Sequence, residues 1–210
     1  MAQLQIIGIP NSNFVRTVRM AAHEKGVPYE HIPLPPHAPE VKAIHPAGRI
    51  PVMRHGETTL FESRAIARYI DEHFEGPPLS PREKTGDALV EQWVSYLITV
   101  TDQLLIRRYV FAYIFPKTPD NQPDRAAIEA MQPKLASEVE VLDKAVARGH
   151  LVGDKFTLAD IYLMAILASA RRFPELDQLI RENKNLARYY DQHAARESFK
   201  ATMPPARKAA

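Results

Sequence analysis

The sequence predicts an α/β domain followed by an all-α domain. Three observations carry this. Short apolar runs of strand length alternate with helix-period stretches in the first third of the chain. A proline-rich segment, Pro77-Pro78-Leu79-Ser80-Pro81, then marks a change of composition. Beyond it, every apolar pattern has helical period. The predicted division is 1–77, a linker at 78–85, and a helical part at 86–210.

Leu4-Gln5-Ile6-Ile7-Gly8-Ile9 reads as a short buried strand, broken by Pro10-Asn11-Ser12-Asn13. Phe14, Val18 and Ala22 recur at helical spacing, and Gly26 supplies the stop. Residues 27–34 read as a second strand, with a right-handed crossover expected if the two are parallel. Residues 35–44 read as an irregular loop or a short surface helix. Val52-Met53-Arg54 and Thr58-Thr59-Leu60-Phe61 flank His55-Gly56-Glu57, a hairpin signal with Gly56 free to take positive φ. From Ser63, the positions Ile66, Tyr69, Ile70 and Phe74 mark a helix that Gly76-Pro77-Pro78 ends.

In the second half, Leu89, Trp93, Leu97 and Leu104 lie along one long helix, with Val90, Val94 and Ile98 beside them. A loop at 116–123 precedes a second long helix at 126–147, with Leu135, Val139 and Leu142 inward. Residues 158–173 read as a markedly apolar helix, which predicts burial at the centre of this half. Two short helices are expected near 175–180 and 186–195, then a loosely ordered basic tail at 203–210.

Composition excludes several functions. Of 210 residues, 27 are Lys or Arg and 25 Asp or Glu, a formal charge of +2, too balanced to argue for a nucleic-acid partner. The absence of cysteine removes disulfides, thiolate–metal sites and a cysteine nucleophile, so any reactive sulfur must come from a ligand. His23, His31, His37, His45 and His55 show no metal-ligand spacing; no metal is expected, and most histidines read as surface residues. The N-terminus has no secretory pattern, and no apolar stretch approaches the roughly 18–20 residues of a membrane span. A cytoplasmic protein without membrane contact is expected.

Two stretches could hold a small peptide. Ile50-Pro51 is a turn or a cis bond, since proline offers no N–H to a central strand. Glu62-Ser63 opens a helix, where free N–H groups, a hydroxyl and a carboxylate meet. Ser12 is either an ordinary N-cap or a hydroxyl donor to an anion at the positive end of the first helix. In the second role it would lower the pKa of a bound thiol from about 8.5. Thr157-Leu158-Ala159-Asp160 is a capping box with Asp in the acidic place, a structural feature. Asp102, Arg107 and Arg108 read as the solvated face of a helix. Tyr109, Phe111, Tyr113 and Phe115 spread over several faces, so one or two are free to line an apolar pocket.

Taken together, Gly48-Arg49-Ile50-Pro51-Val52, Leu60-Phe61-Glu62-Ser63-Arg64-Ala65-Ile66 and the stretch from Gly153 through Asp160 resemble the soluble glutathione transferases over nearly the whole chain. The resemblance implies a thioredoxin-like N-terminal domain and an all-helical C-terminal domain. It implies a cis Pro51, and Ile50 pairing with the cysteinyl part of glutathione. Glu62 would bind the γ-glutamyl amine and Ser63 its carboxylate, with His37 and Arg49 near the glycyl end. Pro10-Asn11-Ser12 is similar to the serine-type site of the plant phi class and its bacterial relatives, so Ser12 would bond the glutathione sulfur, with Asn13 able to share the contact. The lack of cysteine disfavours the disulfide-forming classes. The lack of an early tyrosine disfavours the tyrosine-type classes.

The implied function is a glutathione transferase with glutathione as co-substrate. It would conjugate glutathione to small hydrophobic electrophiles, or reduce peroxides with it, as a homodimer. Phe14, Tyr109 and Tyr113 are expected in the acceptor pocket. The rival is a non-enzymatic relative of the same architecture that only binds partners.

Overall fold

The computed structural model describes residues 2–205. The chain divides into two compact units, Glu83–Ala194 forming one, and Met1–Arg82 with the segment from Ala195 onward forming the other.

The first unit begins with β1 (Leu4–Ile7), α1 (Asn13–Lys25) and β2 (Tyr29–Ile32). A single helical turn, α2 (Pro39–Lys42), precedes β3 (Val52–His55), β4 (Thr58–Phe61) and α3 (Ser63–His73). The sheet order is β2-β1-β3-β4, with β1 parallel to β2 and antiparallel to β3, and β3 antiparallel to β4. A βαβ unit joined to a ββα unit in this order is the thioredoxin-like arrangement.

Alternation along the strands sorts the apolar side chains. Leu4, Ile6 and Met53 face Val15, Val18, Ala22, Ile66 and Ile70 of α1 and α3. Ile7 and Val52 face the opposite way, onto Val41 of α2 with Leu34 and Ile44. Gly56-Glu57 forms the two-residue loop of the β3–β4 hairpin, with Gly56 at φ 59°. Gly26 ends α1 at φ 73°, where its own N–H and that of Val27 close on the carbonyls of the last turn.

The segment that follows Ala194 groups with the first unit, whereas the predicted helical part runs on to 210. A short helix, α10 (Glu197–Ala201), packs on α1 there. Arg16, 2% exposed, donates to the Phe199 carbonyl at 2.9 Å and to the Thr202 hydroxyl at 3.3 Å. Its guanidinium also lies 4.1 Å over the Phe199 ring. Arg196 and Ser198 both bond Glu24 of α1. These contacts span more than 170 residues of chain, so no local pattern announces them. Residues 206–210 of the predicted tail lie outside the described residues.

The second unit contains α4 (Lys84–Tyr96), a π-helix (Leu97–Val110), α5 (Phe111–Ile114), α6 (Arg125–Ala145), α7 (Leu158–Ala170), α8 (Pro174–Glu182) and α9 (Lys184–Ala194). Helix α7 is buried along almost its whole length and packs on α4, the π-helix and α9. The wider turn of the π-helix changes which side chains point inward. Thr101 and Asp102, Leu105 and Ile106, and Tyr109 and Val110 are buried as successive pairs. Leu89 is 42% exposed, so the inward line runs through Val90, Val94, Leu97 and Leu105 instead. Asp102 is fully buried and pairs with Arg107 at 2.9 Å. The expected solvated position of Asp102 is therefore wrong: it lies on the same inward face as Ile106 and Val110, and Arg107 supplies the partner that lets a carboxylate sit there.

Candidate functional site

The strand register gathers most of the predicted binding residues at one end of the sheet. Ile7 pairs with Val52, and Val52 with Phe61. The next positions, Gly8, Pro51 and Glu62, therefore lie side by side beyond that edge, and α3 begins at Ser63. The Ile50–Pro51 peptide is cis. Among the described residues, the main-chain N–H and carbonyl of Ile50 have no hydrogen-bond partner.

Gly8 brings α1 to the same place. A Cβ built there would lie 2.5 Å from Val15 Cγ2 and 3.0 Å from the Ile50 Cβ. Only a glycine lets the end of β1, the first turn of α1 and Ile50 approach this closely. His31 bonds the Gly8 carbonyl at 2.8 Å. Burial, with Arg19 adding to it against that hydrogen bond, lowers the His31 pKa, so the neutral ring donates to the carbonyl at neutral pH.

Ser12 is the N-cap of α1 and is half-buried. Its hydroxyl oxygen accepts from the Val15 N–H at 3.4 Å, a long bond that leaves the hydroxyl proton free to donate elsewhere. Asn13 opens the helix and is buried; Phe14 beside it is half-buried.

Ser63 is 5% exposed and Glu62 exposed at the start of α3. Glu62 holds φ 69° and ψ 119°, an unusual conformation for a side-chain-bearing residue. His37 and Arg49 are both exposed on the loop before β3. His37, at φ 66°, donates its N–H to the Gly48 carbonyl at 2.8 Å. Gly48 is at φ 63°, with the His37 Nδ1 only 2.5 Å from where a Cβ would stand.

Sequence reasoning missed His45. Most histidines are expected at the surface and nothing sets this one apart, yet it is 5% exposed. Its Nε2 lies 3.5 Å from a Glu62 carboxylate oxygen, and its ring packs on Phe61 with centroids 4.8 Å apart. The available signal was its place three residues before Gly48, at the entry to the predicted peptide-binding stretch.

Tyr109 does not suit the pocket role expected of it. It is fully buried, its ring lies against Tyr113 and Phe173, and its hydroxyl donates to Glu175 at 2.6 Å. A ring so enclosed presents no face to a ligand. Tyr113 is half-buried, donates to the same Glu175 oxygen at 2.6 Å and accepts from Arg125 at 2.6 Å. Partial burial would raise the Glu175 pKa, but hydrogen bonds from Tyr109, Tyr113 and Arg125 outweigh it and bring the carboxyl down to about 2. Burial and the bonds to Glu175 push both tyrosines up, so their hydroxyls stay protonated donors. Among the described residues, no group of three or more His, Cys, Asp or Glu could hold a metal ion.

The first unit thus combines a thioredoxin-like sheet, a cis Ile50-Pro51 edge, a Glu62-Ser63 helix start and a serine-capped α1, and the second unit is helical. Comparison with known proteins assigns this combination to a family. The family description "Glutathione S-transferase, N-terminal domain" matches residues 6–78, and "Glutathione S-transferase, C-terminal domain" matches residues 106–197. Glutathione S-transferase 3 of Zea mays is 31% identical, with 97% of this chain and 94% of the relative covered. The crystal structure of poplar glutathione transferase F1 matches with a TM-score of 0.84 at 27% identity, covering 96% of this chain and 97% of that one. The theta class glutathione S-transferase of Xanthomonas axonopodis pv. citri, solved with glutathione bound, matches with a TM-score of 0.83 at 25% identity, covering 98% and 99%. The chain belongs to the glutathione S-transferase family.

Proposed function

We propose that this chain is a glutathione transferase that binds glutathione at the open end of the sheet, stabilises its thiolate and transfers it to small hydrophobic substrates. The observation that carries the reading is the register that sets Gly8, Pro51 and Glu62 side by side, with the N-terminus of α1 one turn of chain beyond Gly8. Ile50 offers an unpaired main-chain edge to the cysteinyl unit, in the manner of an added strand. Glu62 takes the γ-glutamyl ammonium. Ser63 and the first N–H groups of α3 take its carboxylate. His37 and Arg49 serve the glycyl carboxylate.

This grip leads the sulfur toward Ser12. A free thiol has a pKa of about 8.5, and a helix N-terminus with a hydroxyl donor favours the thiolate. Asn13, first in the helix, shares that end of the dipole. The thiolate attacks an electrophilic carbon, forming a C–S bond as the leaving group departs with its electron pair. With a peroxide it attacks oxygen and breaks the O–O bond, and a second glutathione completes the reduction as the disulfide. The protein's share is thiolate stabilisation and proximity, with Phe14 as apolar wall for the acceptor. A homodimer in the cytoplasm belongs to the same reading; light scattering after size exclusion tests the assembly. No helix among the described residues is long and apolar enough to cross a membrane.

Titration with glutathione, followed by the ultraviolet absorbance of the thiolate, tests the function. The enzyme reading expects saturable binding with a thiol pKa below its free value and turnover of an electrophile. Binding without thiolate formation or turnover supports the non-enzymatic rival. Absence of binding overturns both.

A further inference from the structure

His45 is held at several points. Its main-chain N–H donates to the Val41 carbonyl, and its carbonyl accepts from the Gly48 N–H, both at 2.8 Å. In the ring, Nδ1 accepts the Ala47 N–H at 3.0 Å. A nitrogen that accepts carries no proton, so the ring proton sits on Nε2. That N–H faces the Glu62 carboxylate at 3.5 Å, close enough to orient it and too long for a full hydrogen bond. The Phe61 ring lies against the imidazole, with centroids 4.8 Å apart, and the histidine is buried.

Glu62 needs such a partner. Its main chain is held at φ 69°, a conformation that costs a non-glycine residue on the order of 1–3 kcal/mol. Its side chain is 65% exposed, so little packing fixes the carboxylate. A freely rotating glutamate would lose entropy on capturing an ammonium group; one steered by an N–H dipole from below loses less. His45 also belongs to the loop that continues through Gly48 into Ile50, so it joins the two sides of the proposed glutathione grip.

We propose that His45 is a positioning residue: through Nε2–H it aims the Glu62 carboxylate at the free α-amine of a γ-glutamyl ligand and so sets specificity for that amine. The proposal rests on the assignment of Glu62 to the amine under the proposed function.

Two variants of the full-length protein separate the two ends of the ring. His45→Asn keeps an oxygen near the Nδ1 position, able to accept from Ala47, and loses the reach to Glu62. His45→Gln keeps a donor near the Nε2 position. In steady-state kinetics, His45→Asn should raise the KM for glutathione about three- to fivefold, the scale of fixing one exposed side chain rather than of a full hydrogen bond, with kcat within about twofold. His45→Gln should recover most of that loss. With glutathione lacking its α-amino group, used as a competing ligand, binding should be equal for the parent and His45→Asn. Thermal melting of both variants checks that the loop is intact. If His45→Asn melts well below the parent, the comparison of the two ligands in His45→Gln decides: loss of amine discrimination there overturns the proposal, and its retention supports it. Unchanged KM in a well-folded His45→Asn, or equal losses for both ligands, also overturns it. Glu62→Gln tests the underlying assignment separately: unaltered affinity for glutathione in that variant removes Glu62 from the amine, whatever His45 does.

Discussion

Replacing Asp160 by alanine is expected to destabilise the fold without touching glutathione binding. The carboxylate is fully buried and accepts four hydrogen bonds. Oδ1 takes the Leu151 N–H at 2.9 Å and the Tyr189 hydroxyl at 3.0 Å. Oδ2 takes the Thr157 N–H at 2.9 Å and the Thr157 hydroxyl at 3.0 Å. The hydroxyls can turn: Tyr189 already lies 3.5 Å from the Asp160 carbonyl. The two main-chain N–H groups cannot. Each orphaned donor costs about 1–3 kcal/mol, so the pair is worth about 4 kcal/mol. For a chain of this size, about 2–4 °C per kcal/mol converts that to a melting point about 8–16 °C lower. Asp160→Asn keeps one accepting oxygen and should fall between parent and alanine. Calorimetric melting of the three proteins checks the order. An alanine variant that melts with the parent, or one that loses glutathione affinity while melting unchanged, refutes the reasoning.

Three further outcomes are expected. Ser12→Ala should lower kcat on the order of a hundredfold with little change in glutathione affinity, because its bond strengthens as the thiolate forms; stopped-flow conjugation assays read this, and unchanged turnover would hand the role to Asn13. Gly48→Ala should cost about 1–2 kcal/mol for its positive φ and also weaken glutathione binding by displacing His37, whereas Gly26→Ala, with φ 73° but nothing within 4 Å of the new Cβ, should show the backbone cost alone; chemical denaturation with calorimetric titration separates the two. Glu175 has a folded pKa of about 2 against an ordinary 4.5, so its contribution to stability is full above the higher value and is lost as the pH falls toward the lower; urea midpoints followed through that window should drop less in Glu175→Gln than in the parent.

The thioredoxin-like sheet was legible because its signals are local. Strand-length apolar runs, one glycine at the hairpin and one at the end of α1 determine the β-α-β and β-β-α units before any packing is known. The hairpin itself was legible, but its register was not: the loop is Gly56-Glu57, one residue shorter than the three flanked in the sequence, and that shift is what sets Pro51 beside Glu62. What escaped depends on distance or on burial. His45 is buried by a loop folding over Phe61, and a lone histidine without metal spacing carries no sign of that. Asp102 looked solvated because a charged side chain on a helix is ordinarily exposed, although four-residue steps from Val90 and Val94 lead to it. It faces inward with Arg107 as its ion-pair partner, and the sequence pattern does not announce that pairing. Tyr109 shared its stretch with three other aromatics, and its complete burial, which sequence does not show, is what separates it from Tyr113, whose hydroxyl bonds the same Glu175 oxygen. The attachment of the segment from Ala195 onward rests on Arg16, whose partners lie at the far end of the sequence.

That attachment bears on the order in which the protein can finish folding. A ribosome delivers β1 through α3 first and the helical unit next. The Phe199 carbonyl and the Thr202 hydroxyl that Arg16 uses emerge after both. Until then α1 displays a guanidinium and an apolar face that the mature protein covers. The unit made first is therefore the one completed last, and a chain cut after Ala194 damages its beginning more than its middle.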